Sequence, residues 1–266
     1  MAYNLSNQLT VIHVHGEDAS KFLQGQLTND INKYNDTQSQ LSAHLNNKGR
    51  IIANFIILST QKNDYFLITP KNIEAIILPR LKMFVLRSKV TIEVSDLIPV
   101  LDSNHTQDKA AFKIGNQYLM LTDDATKLEL TNDSEWHKLL VDNNLPFIYL
   151  ETSQQIIPQQ VNLELMGGVN FQKGCYTGQE IVARTHYLGK VKRRLVKFTS
   201  STKPEIGQTI TSPTIDNQEI GFVVDYFQES NNYHGLASLQ LDYIADAQLS
   251  NQKIECTQIA QDEANA

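Results

Sequence analysis

Cysteine is scarce in this 266-residue chain: Cys175 and Cys256 are the two present, and they lie far apart. Neither belongs to a C-x-x-C pair. A zinc or iron–sulfur site built wholly from the chain's own thiols is therefore excluded, as is a disulfide framework. That usage suits a reducing cytosol. Long apolar runs are missing too. None approaches the roughly 20 residues that span a bilayer, and the longest, Ile51–Leu58, is interrupted by Asn54 and reads as a strand. The N-terminus lacks a charged segment followed by an apolar one, so no signal peptide is expected and the cytoplasm is the expected location. No Walker, G-x-G-x-x-G or G-x-S-x-G pattern occurs. The seven histidines form neither H-x-x-x-H nor H-E-x-x-H. His13 and His15 alternate along a strand, as same-face metal ligands can, but a surface position is the plainer reading, and no permanent metal is expected. A net charge of −6 argues against general nucleic-acid affinity.

What is present suffices for a large core, since 41% of the residues are hydrophobic. Strand patterns are expected at Leu9–Val14, Gln40–Asn46, Arg50–Ser59, Asp64–Thr69 and Lys89–Ser95. Asn46-Asn47-Lys48-Gly49 supplies hairpin chemistry between the second and third. A helix capped by Asp18 should run to about Thr28. Another should cover Lys71–Arg87, kinked or split at Pro79. Three short strands precede a third helix after Asp133, whose Trp136, Leu139 and Leu140 share a face. Thr152–Asn170 reads as extended loop. From about Arg193 the texture changes to short strands separated by Gly, Pro, Asn and Ser, the pattern of a small antiparallel barrel. Residues after Gln261 should fray. The expectation is an α+β protein with residues 1–190 as one region and 191–266 as a C-terminal barrel.

The most informative segment is Lys173-Gly174-Cys175-Tyr176-Thr177-Gly178-Gln179-Glu180. Thr177 and Glu180 have capping-box spacing, so a helix is expected over about 178–187, ended by Gly189. Glu180 and Arg184 stand at the favourable i,i+4 spacing. Cys175 would precede that helix, where the dipole and the Lys173 ammonium both favour a thiolate. Gly174 and Gly178 suit a tight loop that lets backbone approach a ligand. The plain alternative is a small buried thiol with a capped helix after it. Around it, Ile181–Pro204 contains no acid but carries Arg184, Lys190, Lys192, Arg193, Arg194, Lys197 and Lys203. Ala75–Ile92 is similarly acid-free. Either stretch suits glutamates or phosphates, or is a solvated face.

Phe171–Glu180 resembles the K-G-C-[FY]-x-G-Q-E signature of the YgfZ family. The resemblance extends through Ile157-Pro158-Gln159, Asn162-Leu163, Gly167-Gly168, Val182-Ala183-Arg184 and Lys192-Arg193. It also takes in Phe22–Asp30, Ala43-His44, Lys48-Gly49-Arg50 and Ser88-Lys89-Val90. It implies a fold like the glycine-cleavage T-protein: two interleaved α+β subdomains before the barrel, in a ring around a central folate site. It further implies tetrahydrofolate as cofactor, and a role supporting iron–sulfur client enzymes such as a tRNA methylthiolase. Cys175 would carry the chemistry with Lys173 assisting, and Gly174, Tyr176, Thr177, Gly178, Gln179, Glu180 and Arg184 would support the motif. Trp136, Asp142 and Leu9 would be folate contacts. The family's pattern departs here at Asp142, where Glu is common, at Asn144, where Gly is common, and at Leu9, where an aromatic is expected. Two other functions fit the same residues. One is a folate-dependent aminomethyl transferase, which would need no thiol. The other is an RNA-binding accessory protein using the basic run and barrel. Few aromatics interleave that run, so direct tRNA binding is not expected, nor is a membrane partner.

Overall fold

The computed structural model describes residues 2–33, 39–104, 110–126, 128–130 and 133–260; the tail after Gln261 lies outside them. In chain order the elements begin with β1 (Ala2–Asn4), β2 (Leu9–His15), α1 (Ala19–Gln26), β3 (Ser39–Leu45), β4 (Ile51–Gln61), β5 (Asp64–Pro70), α2 (Glu74–Met83) and β6 (Thr91–Val94). There follow β7 (Ile98–Asp102), β8 (Phe112–Ile114), β9 (Gln117–Thr122), β10 (Glu129–Leu130), α3 (Asp133–Asp142) and α4 (Gln179–Tyr187). The last group is β11 (Arg193–Ser200), β12 (Thr209–Ser212), β13 (Gln218–Glu229), β14 (Asn232–Gln240), β15 (Gln248–Leu249), β16 (Gln252–Lys253) and β17 (Glu255–Gln258).

These strands form three sheets. One has the order β3-β4-β5-β2-β6, a second β10-β1-β7-β9-β8, and the third β16-β15-β12-β13-β14-β11-β17. The chain therefore starts in the second sheet, builds the whole of the first, and returns, which interleaves the two. The third sheet is curled and antiparallel, with β16 and β17 at its ends.

Burial explains why β4 reads as nearly continuous apolar sequence. Phe55 and Ile57 pack into a cluster with Leu23 of α1 and Ile77 and Leu81 of α2. Ile56 and Leu58 point the other way, into the large central cluster shared with Trp136, Phe147 and Phe222. A strand covered on both faces has no polar side to display. Its one interruption, Asn54, is buried and has a structural task. Its amide donates to the Pro146 carbonyl at 2.8 Å and its oxygen accepts from Ile148 N–H at 2.8 Å, fastening the segment after α3 to the sheet.

Three local expectations are corrected. Asp18 makes no side-chain cap on α1; its carboxylate accepts from Lys89 N–H at 2.8 Å instead, tying α1 to the segment before β6. Pro79 does not split its helix, because α2 runs through it and forgoes only the bond that a residue there would donate to Ala75. The break falls earlier, at the 3-10 turn Lys71–Ile73. Finally, residues 152–170 are a succession of turns with a 3-10 turn at Pro158–Val161, not extended chain.

Candidate functional site

Three sequence segments far apart in the chain meet around Cys175. The first is the end of α1. Lys173 is buried, at 8% exposure, and its Nζ donates to the carbonyls of Gln24 (2.7 Å), Leu27 (2.6 Å) and Asn29 (3.0 Å). A cation on the last carbonyls of a helix satisfies groups the helix cannot pair itself and opposes the negative end of its dipole. The same stretch is stitched to the start of the loop. Thr28 Oγ1 donates to Gly168 O at 2.7 Å, Asn29 Nδ2 donates to Gly167 O at 2.7 Å, and Asn170 N–H donates to Thr28 O at 3.0 Å.

The second segment is the β3–β4 hairpin, whose turn packs against the start of α4. Gly178 has φ +80, and a Cβ there would lie 2.5 Å from Asn46 O and 2.9 Å from Gly49 Cα. Gly49 has φ +70, and its own Cβ would lie 2.8 Å from Ile181 Cβ. A side chain on Gly178 would thus run into the backbone of Asn46 and Gly49, one on Gly49 into Ile181, and each glycine sits where L-residues are strained. The third contact is α4 itself. Phe171 stacks on His186 at 3.8 Å between centroids, and Gln159 Nε2 donates to Val182 O at 2.8 Å.

Cys175 is exposed on this arch, between buried Lys173 and buried Tyr176, with Gly174 exposed beside it. The Lys173 ammonium also lies 5.1 Å from the centre of the Tyr176 ring. Cys256 contrasts with it. That thiol is on β17, and burial pushes its pKa up to about 12, which removes the thiolate at neutral pH. Of the two residues, Cys175 is the more exposed.

Several expected roles change in this setting. Lys173 is not a free cation beside the sulfur: its three protons are directed at three carbonyls. Burial lowers its pKa to about 8, opposed by the charge of Asp30. Thr177 and Glu180 form no capping box, because the N-cap is Gly178 in a left-handed conformation and carries no side-chain cap. Gln179 opens α4 with its N–H donating to Tyr176 O at 3.2 Å. Glu180 and Arg184 are exposed and close no ion pair among the described residues.

The three residues expected as folate contacts do not share an open surface. Trp136 is 1% exposed and Leu9 2%; both belong to the central apolar cluster, with Phe147 lying 6.0 Å from the Trp136 ring. A ring already covered by core side chains offers no face for stacking. Asp142 is at the exposed end of α3, paired with Lys138 at 3.3 Å. The basic run is also partly committed. Arg194 pairs with Glu164, Arg193 with Glu219 at 3.0 Å, and Lys197 Nζ donates to Asp142 O at 3.1 Å. Arg184, Lys190 and Lys192 remain exposed.

Sequence reasoning had assigned no role to a set of buried polar atoms near the loop's foundations. His44 is fully buried. Its Nδ1 donates to Gln26 O at 3.0 Å, which leaves Nε2 as an acceptor with no partner. Burial lowers the pKa of His44 to about 4, with the charge of Arg80 adding to the effect, so it is neutral at pH 7. Gln26 Oε1, Arg80 Nε and Gln159 Oε1 are likewise buried without hydrogen-bond partners. Such atoms are costly unless something pairs with them. Gln26, His44 and Gln159 lie in Phe22–Asp30, Ala43-His44 and Pro158-Gln159, which was the available sequence signal; Arg80 lies outside those segments. A second region missed from sequence lies against α3. A cavity of about 570 Å³ there is lined by Ser134, His137, Lys203, Tyr226 and Tyr233. At its edge the buried Asp225 carboxylate accepts from His137 at 2.6 Å and from Tyr149 OH at 3.0 Å.

Residues 6–97 match the model of the GCVT N-terminal domain. Over 242 residues the chain is 31% identical to the tRNA-modifying protein YgfZ of Klebsiella pneumoniae (strain 342), covering 77% of this chain and 74% of that protein. Identity to the protein of the same name from Escherichia coli O157:H7 (strain EC4115 / EHEC) is 32% over 235 residues, 74% and 72% of the two chains. The chain belongs to the YgfZ family. The likeness to the glycine cleavage system aminomethyltransferase T from Bartonella henselae is one of fold, with a TM-score of 0.74 over 99% of this chain and 86% of that one, at 12% identity. The K-G-C motif, the Phe22–Asp30 segment and the Lys48-Gly49-Arg50 turn, far apart in the chain, meet in space. Among the described residues no helix is long and apolar enough to cross a membrane.

Proposed function

We propose that this chain is a folate-binding factor that supports iron–sulfur enzymes in tRNA modification, with Cys175 as its single reactive group. The observation that carries this reading is an exposed thiol on a loop fixed from three sides. A merely structural cysteine is usually buried. Here the surrounding chain instead invests a buried lysine, two interlocked glycines and an aromatic stack in holding one sulfur at the surface. One sulfur cannot retain a cluster alone. It can accept an adduct, reduce a sulfur species or lend one ligand while a client enzyme supplies the rest. Lys173 acts in this scheme by positioning the loop.

The T-protein-like fold supports a folate ligand. The exposed cations Arg184, Lys190 and Lys192 suit the glutamate tail. When bound, folate would bring a one-carbon unit or a regulatory signal to the site. The T-protein-like fold also supports a second reading, an aminomethyl transferase that does not use the thiol; release of methylenetetrahydrofolate from a loaded carrier protein is its signature.

Rescue separates the two. Cells lacking the endogenous factor would receive wild type, Cys175→Ser or Cys256→Ser, with methylthiolated tRNA as the readout. Cys175→Ser is expected to lose rescue while Cys256→Ser keeps it. Rescue by Cys175→Ser at the wild-type level would remove the thiol from the mechanism.

A further inference from the structure

Away from the Cys175 loop, one cluster of side chains has the make-up of a metal site. His13 and His15 are two residues apart on β2, so both rings leave the same face of the sheet. The neighbouring strands add carboxylates to that face. Register places Asp64 of β5 opposite His15, and Glu93 of β6 opposite His13. The two imidazoles stack with centroids 4.3 Å apart, and Phe66 covers His13 at 4.4 Å. His13 Nε2 is 2.5 Å from Asp64 Oδ1, and His15 Nε2 is 3.5 Å from Glu93 Oε1. One ligand atom from each of His13, His15 and Glu93 lies within 4.8 Å of the others.

We propose that this face of the β5–β2–β6 sheet binds a divalent transition-metal ion of the zinc type through His13, His15 and Glu93. Two imidazoles and one carboxylate suit zinc, cobalt or nickel; magnesium and calcium require more oxygens than the cluster holds. Tetrahedral ligands at zinc distances are about 3.3 Å apart, given bonds of roughly 2.0–2.1 Å. The 3.5 Å between His15 Nε2 and Glu93 Oε1 is already close to that, and the stacked imidazoles must turn out of their stack for their in-plane lone pairs to converge on one ion. Asp64 occupies a supporting position. It engages Nε2 of His13, leaving Nδ1 as the ligating nitrogen, in the carboxylate–histidine–metal arrangement that fixes the tautomer and strengthens the donor. His13 and Asp64 are mostly covered while His15 and Glu93 are open, so the ion has a route in and a fourth position for water. All of these residues sit on sheet strands, which hold ligands more firmly than loops do.

Calorimetric titration of the full-length protein with zinc, and visible absorption with cobalt, test the site. Wild type would be compared with His15→Gln, Glu93→Gln and Cys175→Ser. One equivalent should bind. His15→Gln should weaken binding by at least about tenfold, the loss typical when a metal's ligand shell is disturbed. Glu93→Gln, a change at a surface carboxylate that leaves folding intact, should weaken it too. Cys175→Ser should bind as wild type does, and the cobalt complex should lack a thiolate charge-transfer band. The proposal fails if both sheet variants keep wild-type affinity, if Cys175→Ser abolishes binding, or if wild type takes up no zinc.

Discussion

The Cys175 arch and the Trp136 face of α3 are two of the places where the sequence pointed to a ligand, and they are built oppositely. The arch is held by polar and steric devices: an ammonium on three carbonyls, two glycines in mutual contact, and amide and hydroxyl bonds at residues 28 and 29. Its reactive atom faces out. Trp136 is held by apolar contact on all sides and faces in. A large flat ring is equally good as a stacking platform or as core, so its type alone decides nothing. A Lys-Gly-Cys order beside paired glycines is different, because each residue there meets a backbone constraint that few others could.

The largest effect that could break this contrast comes from truncating the tryptophan. Trp136→Ala should cost about 3–5 kcal/mol, the range for removing a fully buried large aromatic. Cys175→Ser, at an exposed position, should stay within about 0.5 kcal/mol of wild type. Urea denaturation of both variants measures the difference. Should Trp136→Ala leave stability intact and abolish tetrahydrofolate binding, the ring would be a ligand platform and the two regions would be alike after all.

A polar foundation beneath the arch should also make stability depend on acid. The folded pKa of His44, about 4, lies below the 6.5 of an unconstrained imidazole. Between those values the unfolded chain binds the proton and the folded chain resists it. The stabilising difference is therefore fully present above pH 6.5 and lost as pH falls toward 4, amounting to about 3 kcal/mol over the whole interval. His44→Gln should flatten this part of the pH–stability curve, measured as urea midpoints from pH 7 to 4. A curve unchanged by that substitution would place the acid sensitivity elsewhere.

These outcomes bear on what could be seen in advance. The alternation of strands, the hairpin at Asn46–Gly49 and the change of texture near Arg193 are local patterns, and the elements formed where those patterns stood. The Cys motif was legible because its residues are contiguous. What it does with Lys173 was not, since the carbonyls that the ammonium meets belong to the end of α1 and the residues just after it, near the other end of the chain. The orphaned nitrogen of His44 is likewise a property of surroundings; the family-like Ala43-His44 pair marks the residue but not its missing partner. Leu9 and Trp136 were assigned by correspondence with relatives, and burial overrode the assignment. Asn54, which merely interrupted an apolar run, proved to be the fastener between β4 and the segment after α3.

The smallest predicted effect concerns how α4 begins. Capping-box spacing pointed to Thr177, and a hydroxyl that truly capped would contribute about 0.5–2 kcal/mol. In the structure the helix starts one residue later, from Gly178 at φ +80. That geometry exists because the β3–β4 turn presses against it and leaves no room for a Cβ. The sequence rule lost to a tertiary contact: close approach of two backbones fixed the first turn, and the Thr177 side chain was left without a helix N–H to accept from. Thr177→Ala should therefore change stability by less than about 0.5 kcal/mol, as expected away from caps and core. A loss above about 1 kcal/mol in a urea titration would mean that the hydroxyl caps α4 in solution, and that the arch under Cys175 is held by ordinary helix capping in place of interlocked glycines.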